Sequence, residues 1–293
     1  MDRVGLAVVV LPPRSDVAIA PAAGDDAAGT LFVARVRPYH PRTLPVAVDQ
    51  HVPAGNSIAA NRRETEHLMR VALYFTPPRD APVTRLAAEW LGRDAFATGG
   101  ASVADALVAE PARYGFHATM KPPMRLRDGH TPEEIDRGLA AFCAARAATE
   151  IPRLALRRIG RFFALVPDEA LPDLDALAGE TVRQFERFRA PLSDAERARR
   201  APDRLTERQR ALLDAWGYPY VFEEFRFHMT LTGPVDEPDA AAVDARLRRH
   251  FAPVLGCPLP VDGLALFVED EPGAPFRVRA LHPLSTESRT RQT

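Results

Sequence analysis

Cysteine is scarce in this chain: Cys143 and Cys257 are the only two among 293 residues. They cannot make a disulfide framework, and such usage fits a reducing, cytoplasmic setting. Neither stands at metal-knuckle spacing to the other or to the histidine motifs, so no metal and no cofactor is expected. No Gly-x-Ser-x-Gly run occurs, which leaves the chain without a serine nucleophile elbow. The net charge is −1 at pH 7, so no strong field gathers nucleic acid or an anionic membrane surface. The apolar run from Gly5 to Leu11 stops at Pro12-Pro13 and is short for the core of a secretion signal. Lysine is almost missing: of 38 basic residues, Lys121 alone is not arginine, a bias that GC-rich coding produces.

What is present is a short pattern used twice, Tyr114-Gly115-Phe116-His117-Ala118-Thr119-Met120 and Phe225-Arg226-Phe227-His228-Met229-Thr230-Leu231. Read at the strand period of two, one face of the first copy carries Gly115, His117, Thr119 and Lys121, and one face of the second carries Arg226, His228, Thr230 and Thr232. The opposite faces are apolar. A lone histidine in a strand is usually structural; two copies with the same alternation and the same following threonine point to a paired-histidine site, and to a duplication in which each half supplies one.

These residues fit phosphodiester chemistry. Cleavage through an attacking hydroxyl or water needs one group to take a proton and another to give one, and two imidazoles near pH 7 can do both as a coupled pair. Thr119 and Thr230 can donate to the non-bridging oxygens as charge develops there. Lys121 and Arg226 are candidate phosphate contacts on the same faces, with a bystander lysine and a solvated strand-end arginine as the alternatives. Tyr74 and Tyr114 are candidate substrate contacts or core residues. The spacing does not say which of His117 and His228 is the base.

The two His-x-Thr motifs resemble those of the two-histidine (2H) phosphoesterase superfamily. The run Tyr114 to Pro123, the opening Ala72-Leu73-Tyr74-Phe75-Thr76-Pro77-Pro78 and Trp90-Leu91-Gly92-Arg93-Asp94 are similar to a branch found with phosphonate-utilisation genes and of unassigned activity. The resemblance spans about residues 69 to 284. It implies an α+β, bilobal fold of two βαβ-like lobes, with antiparallel sheets around a central cleft where the histidines meet. It also implies a phosphonate-breakdown setting. The histidines lie 111 positions apart, wider than in the smaller superfamily members, which leaves room for a helical insertion at residues 193 to 216.

The order of elements is legible from periodicity and caps. Strands are expected at 71–75, 114–120, 157–166, 225–231, 264–269 and 276–281. Helices are expected at 83–91, from Thr131, where Thr131-Pro132-Glu133-Glu134 reads as a capping box, at 174–188, and at 238–251. Trp90 and Trp216 read as core anchors and Cys143 as a small buried residue. Residues 1 to 68 show no lasting period and read as a disordered extension or a start assigned too early, with Met69 opening the fold; residues 285 to 293 read as a disordered tail.

The expected function is a metal-independent phosphoesterase of the cyclic phosphodiesterase type, acting on a small, ribose-linked cyclic phosphate. Two alternatives stand beside it: an RNA 2′,3′-cyclic phosphodiesterase, which the low net charge disfavours, and a non-catalytic phosphate-ligand binding protein. The expected partner is a small phosphodiester rather than a membrane; composition does not give the oligomeric state.

Overall fold

The computed structural model describes residues 69–97 and 105–286. The expected extension at 1 to 68 and the tail from 287 onward lie outside the described residues. Ser285, assigned to that tail, exchanges backbone hydrogen bonds with Arg146 and Ala148, so the fold runs past residue 284. Among the described residues no helix is long and apolar enough to cross a membrane.

The fold is α+β. The chain runs β1 (Arg70–Phe75), α1 (Pro82–Leu91), α2 (Ala109–Tyr114), β2 (Ala118–Arg125), α3 (Pro132–Ala144), β3 (Thr149–Ile151), β4 (Leu154–Ile159), β5 (Phe162–Pro167) and α4 (Pro172–Phe185). It continues through α5 (Asp194–Ala198), α6 (Glu207–Trp216), β6 (Met229–Thr230), α7 (Glu237–Phe251), β7 (Leu259–Val261), β8 (Gly263–Glu269) and β9 (Arg277–Pro283). Seven strands form one antiparallel sheet in the order β4-β5-β6-β2-β1-β8-β9, and β3 pairs with β7 apart from it. The two halves meet where β2 pairs with β6, and the candidate site lies along that seam.

Alternation on β1 shows how the sheet is covered. Val71, Leu73 and Phe75 enter the main core with Val83, Ala87 and Leu91 of α1 and Ile135, Leu139 and Phe142 of α3. Ala72 and Tyr74 point the other way, into a smaller cluster with Ala265, Phe267 and Phe276. This interior strand is thus buried on both faces, which requires near-continuous apolar sequence. The Thr131 capping box forms as the sequence predicts, with the Glu134 amide donating to Thr131 Oγ1 at 3.3 Å. Such a cap is worth about 1 kcal/mol.

Several expected boundaries change. Residues 157–166 are not one strand; Gly160, at φ 56°, turns the chain so that β4 and β5 pair from Leu154↔Pro167 to Ile159↔Phe162. A tight hairpin turn of this kind demands a left-handed residue, and glycine provides it. The first motif does not start as a strand at Tyr114: that residue ends α2, Gly115 breaks the helix at φ 77°, and β2 begins at Ala118. In the second motif only Met229–Thr230 is strand, preceded by a 3-10 turn at Phe222–Glu224. The segment 193–216 is two helices, α5 and α6, joined through a 3-10 turn at Pro202–Arg204.

Candidate active site

The site rests on one register: Ala118 of β2 pairs antiparallel with Met229 of β6. Each is the residue after its motif histidine. Continued outward, the same register sets His117 across from Thr230 and Thr119 across from His228, a local two-fold arrangement of the two motifs. Side chains of neighbouring residues alternate across the sheet. Ala118 and Met229 therefore turn into the core, at 1% and 0% exposure, while both histidines and both threonines line one cavity of ≈320 Å³.

Each imidazole is held in the same way. His117 donates Nδ1–H to the Gly115 carbonyl at 2.8 Å, and His228 donates Nδ1–H to the Arg226 carbonyl at 2.7 Å. A carbonyl only accepts, so both neutral rings carry the proton on Nδ1 and leave Nε2 as the acceptor nitrogen. Thr119 Oγ1 lies 3.3 Å from Nε2 of His117. The Tyr74 ring stacks on His117 with centroids 3.7 Å apart, and Phe267 and Tyr114 flank the same ring at 6.1 and 6.4 Å. His228 sits less tightly, against Phe162 at 5.7 Å.

Enclosure sets the electrostatics. Burial lowers the His117 pKa to about 4, with the Gly115 hydrogen bond opposing and the neighbouring His228 adding to the drop. Burial also lowers His228, against the Arg226 hydrogen bond. Both shifts favour the neutral imidazoles at pH 7 in the free protein. Burial raises the Tyr74 hydroxyl well above its usual range, so it remains protonated.

Distant elements fix the motif ends. Arg93 donates Nη1–H to the Ala112 carbonyl at 2.6 Å and holds the end of α2 just before Gly115. Trp90 donates Nε1–H to the Leu231 carbonyl at 2.9 Å, pinning the second motif.

Two expected contacts are elsewhere. Lys121 is not on the His117 face. Tyr74 pairs with Thr119 but Leu73 pairs with Lys121, so β2 carries one extra residue between them, and a second irregularity follows at Pro122-Pro123. One inserted residue flips the alternation, and prolines without N–H groups favour such a break. Lys121, 1% exposed, instead reaches the Val182 carbonyl at 3.2 Å and Glu186 Oε2 at 2.8 Å. Arg226 gives the site only its backbone; its exposed side chain lines a separate cavity beside Arg157 and Arg158. Tyr74 and Tyr114 do line the histidine cavity.

Sequence reading missed Arg70, Phe162, Arg200 and Tyr218, which also line it. No motif contains them. Arg70 is bound by Glu269, a carboxylate with no exposed surface that also holds Arg113 at 2.5 Å. Among the described residues no group of three His, Cys, Asp or Glu side chains is placed to ligate a metal ion.

Residues 119–277 match the model of a family described as proteins of unknown function, DUF1045. The chain belongs to the DUF1045 family. Curated relatives of this DUF1045 chain include proteins named ribose 1,5-bisphosphate phosphokinase PhnN. The one from Janthinobacterium sp. (strain Marseille) is 37% identical over 241 residues, covering 76% of this chain and 53% of its own length. That from Laribacter hongkongensis (strain HLHK9) is 39% identical over 219 residues, covering 72% and 50%. The chain thus spans about half the length of the curated relatives it matches. Among solved structures, TT0787 of Thermus thermophilus aligns at 17% identity and a TM-score of 0.40, over 75% of this chain and all of its own. Escherichia coli LigT complexed with 3′-AMP aligns at 14% and 0.38, over 74% and 98%. Likeness at those scores fixes neither chemistry nor substrate.

Proposed function

We propose that the chain is a metal-independent 2H phosphoesterase that opens a small, ribose-linked cyclic phosphate, with His117 as general base and His228 as general acid. The observation that carries this reading is the Ala118↔Met229 register, which sets two imidazoles on one cavity with both Nδ1 atoms tied to carbonyls. A binding module has no need of two matched proton-transfer groups. The relatives' name concerns a ribose phosphate, which supports a ribose-linked substrate and a phosphonate setting. Their phosphokinase activity is not taken over: the only lysine follows Met120, so this sequence holds no Gly-Lys-Ser/Thr phosphate loop.

The roles follow from enclosure. With a pKa of about 4, His117 is a ready base at neutral pH and would be a depleted acid. The phosphate anion, once bound, favours the charged form of the less enclosed His228. Neutral Nε2 of His117 takes a proton from the attacking water as its oxygen bonds to phosphorus. The ring P–O bond breaks, and Nε2–H of His228 protonates the leaving oxygen, giving a phosphomonoester and a free neighbouring hydroxyl. Thr119 and Thr230 donate to the non-bridging oxygens, and Thr119 leaves Nε2 of His117 to do so. Solvent then exchanges the two protons back.

Phosphorus NMR with EDTA present, against ribose 1,2-cyclic phosphate, nucleoside 2′,3′-cyclic phosphates and a cyclic-ended RNA, tests the reading. Turnover of a small cyclic phosphate is expected, falling by about 10²–10⁴-fold in His117→Ala and in His228→Ala with ligand binding retained. Turnover that requires added metal, survives both substitutions or is confined to RNA would overturn it.

A further inference from the structure

The histidine cavity is short of free cations. Lys121 and the Arg226 side chain lie elsewhere, and Arg70 is committed to Glu269. The exception is Arg200, on the turn that follows α5, where its amide bonds the Arg197 carbonyl. Its half-buried guanidinium lies over the Tyr218 ring at 4.9 Å, and no carboxylate pairs with it among the described residues. Leaving such a cation part-buried without a counter-charge is costly, and its planar fork suits a phosphate.

Arg200 also stands at a junction. It lines the histidine cavity and an adjoining one of ≈730 Å³, and Arg70, Glu110, Tyr114 and Pro123 line both. In the adjoining cavity Arg125 is neutralised by Glu196, and Arg70 and Arg113 share the single charge of Glu269. Arg199 and Arg200 have no ion-pair partner among the described residues. Exposed Glu110 on the shared rim offsets one of these two charges, so a positive excess remains where the cavities meet. Among the described residues no cation but Arg70 and Arg200 lines the histidine cavity itself, so a second anionic group on a ligand held there has one free place to go.

We propose that Arg200, with Arg199 behind it, forms a distal phosphate subsite, and that the substrate is a cyclic phosphate bearing a second, terminal phosphomonoester. The inference rests on the phosphoesterase reading for the reaction and on the cavity for the second group. It gives the segment between α4 and β6 a part in substrate choice: the turn after α5 carries the cation, and Tyr218, just beyond α6, supports its guanidinium.

The test compares kcat/KM for ribose 1,2-cyclic phosphate with and without a 5-phosphate in wild type, Arg200→Ala and Arg200→Lys. Wild type is expected to favour the doubly phosphorylated substrate by about tenfold or more, as one charge-assisted contact gives. Arg200→Ala is expected to erase that preference and Arg200→Lys to restore part of it. No preference in wild type, or an equal loss on both substrates in Arg200→Ala with an unchanged melting temperature, would overturn the subsite. If neither these substrates nor a nucleoside 2′,3′-cyclic phosphate turns over, the phosphoesterase reading fails, and calorimetry with ribose 5-phosphate still decides the subsite. Weakening by about tenfold in Arg200→Ala sustains it, and equal affinity removes it.

Discussion

Acid should destabilise this protein through His117 in a defined window. Burial, against the Gly115 hydrogen bond and with help from His228, takes the imidazole from 6.5 to about 4. Between those values the unfolded chain binds a proton that the folded protein refuses. The stability tied to His117 is thus fully present above pH 6.5, falls as the pH drops, and stops changing below about 4. At about 1.4 kcal/mol per pKa unit the swing is at most ~3.5 kcal/mol, less whatever water in the cavity screens. His228, lowered in the same direction, adds to the effect. Urea unfolding of wild type and His117→Asn between about pH 7 and pH 4.5 measures it, with the gap between the two proteins shifting toward the variant as the pH falls. The Cε1–H resonance of His117 reports the ionisation directly, and the acid limb of kcat/KM should follow that titration, leaving the base competent well below neutrality. A His117 midpoint at or above 6.5, or a pH-independent stability gap, would refute the link between enclosure and ionisation.

Three substitutions probe the supports. Gly115→Ala places a Cβ 2.6 Å from Ala95 Cβ at a φ of 77°, and should cost about 1–3 kcal/mol in urea unfolding and lower kcat by shifting the carbonyl that holds His117; wild-type stability and rate together would show that the turn tolerates the methyl. Lys121→Met should keep kcat/KM close to wild type and cost at most about 2 kcal/mol, because Arg189 still pairs with Glu186; a folded variant with tenfold lower kcat/KM would put the lysine back at the phosphate. Glu269→Ala strands Arg70 and Arg113 without their buried carboxylate and should cost about 3–5 kcal/mol in chemical denaturation; a loss below about 1 kcal/mol would mean that water replaces the carboxylate.

The sequence by itself determined that both His-x-Thr pairs share one kind of face, and much of what lies beneath them. Period-two alternation around His117 and His228 is a local property, and burial of Phe116, Ala118, Met120, Phe227, Met229 and Leu231 follows it. Capping is local as well, so the start of α3 at Thr131 and Pro132 could be read residue by residue. Strand pairing is not local. Only the tertiary structure set Ala118 opposite Met229, and that register turns two separate motifs into one site. Only pairing with β1 revealed the extra residue in β2, which sends Lys121 under α4 rather than toward His117. Enclosure by Tyr74 and Phe267, more than forty residues from His117 in one direction and a hundred and fifty in the other, sets the ionisation of that histidine. Arg200 had no motif to mark it, since an arginine in a charged helical stretch reads as solvated until the fold lays it beside a cavity. Local chemistry chose the groups, and non-local packing chose their neighbours and with them their charge.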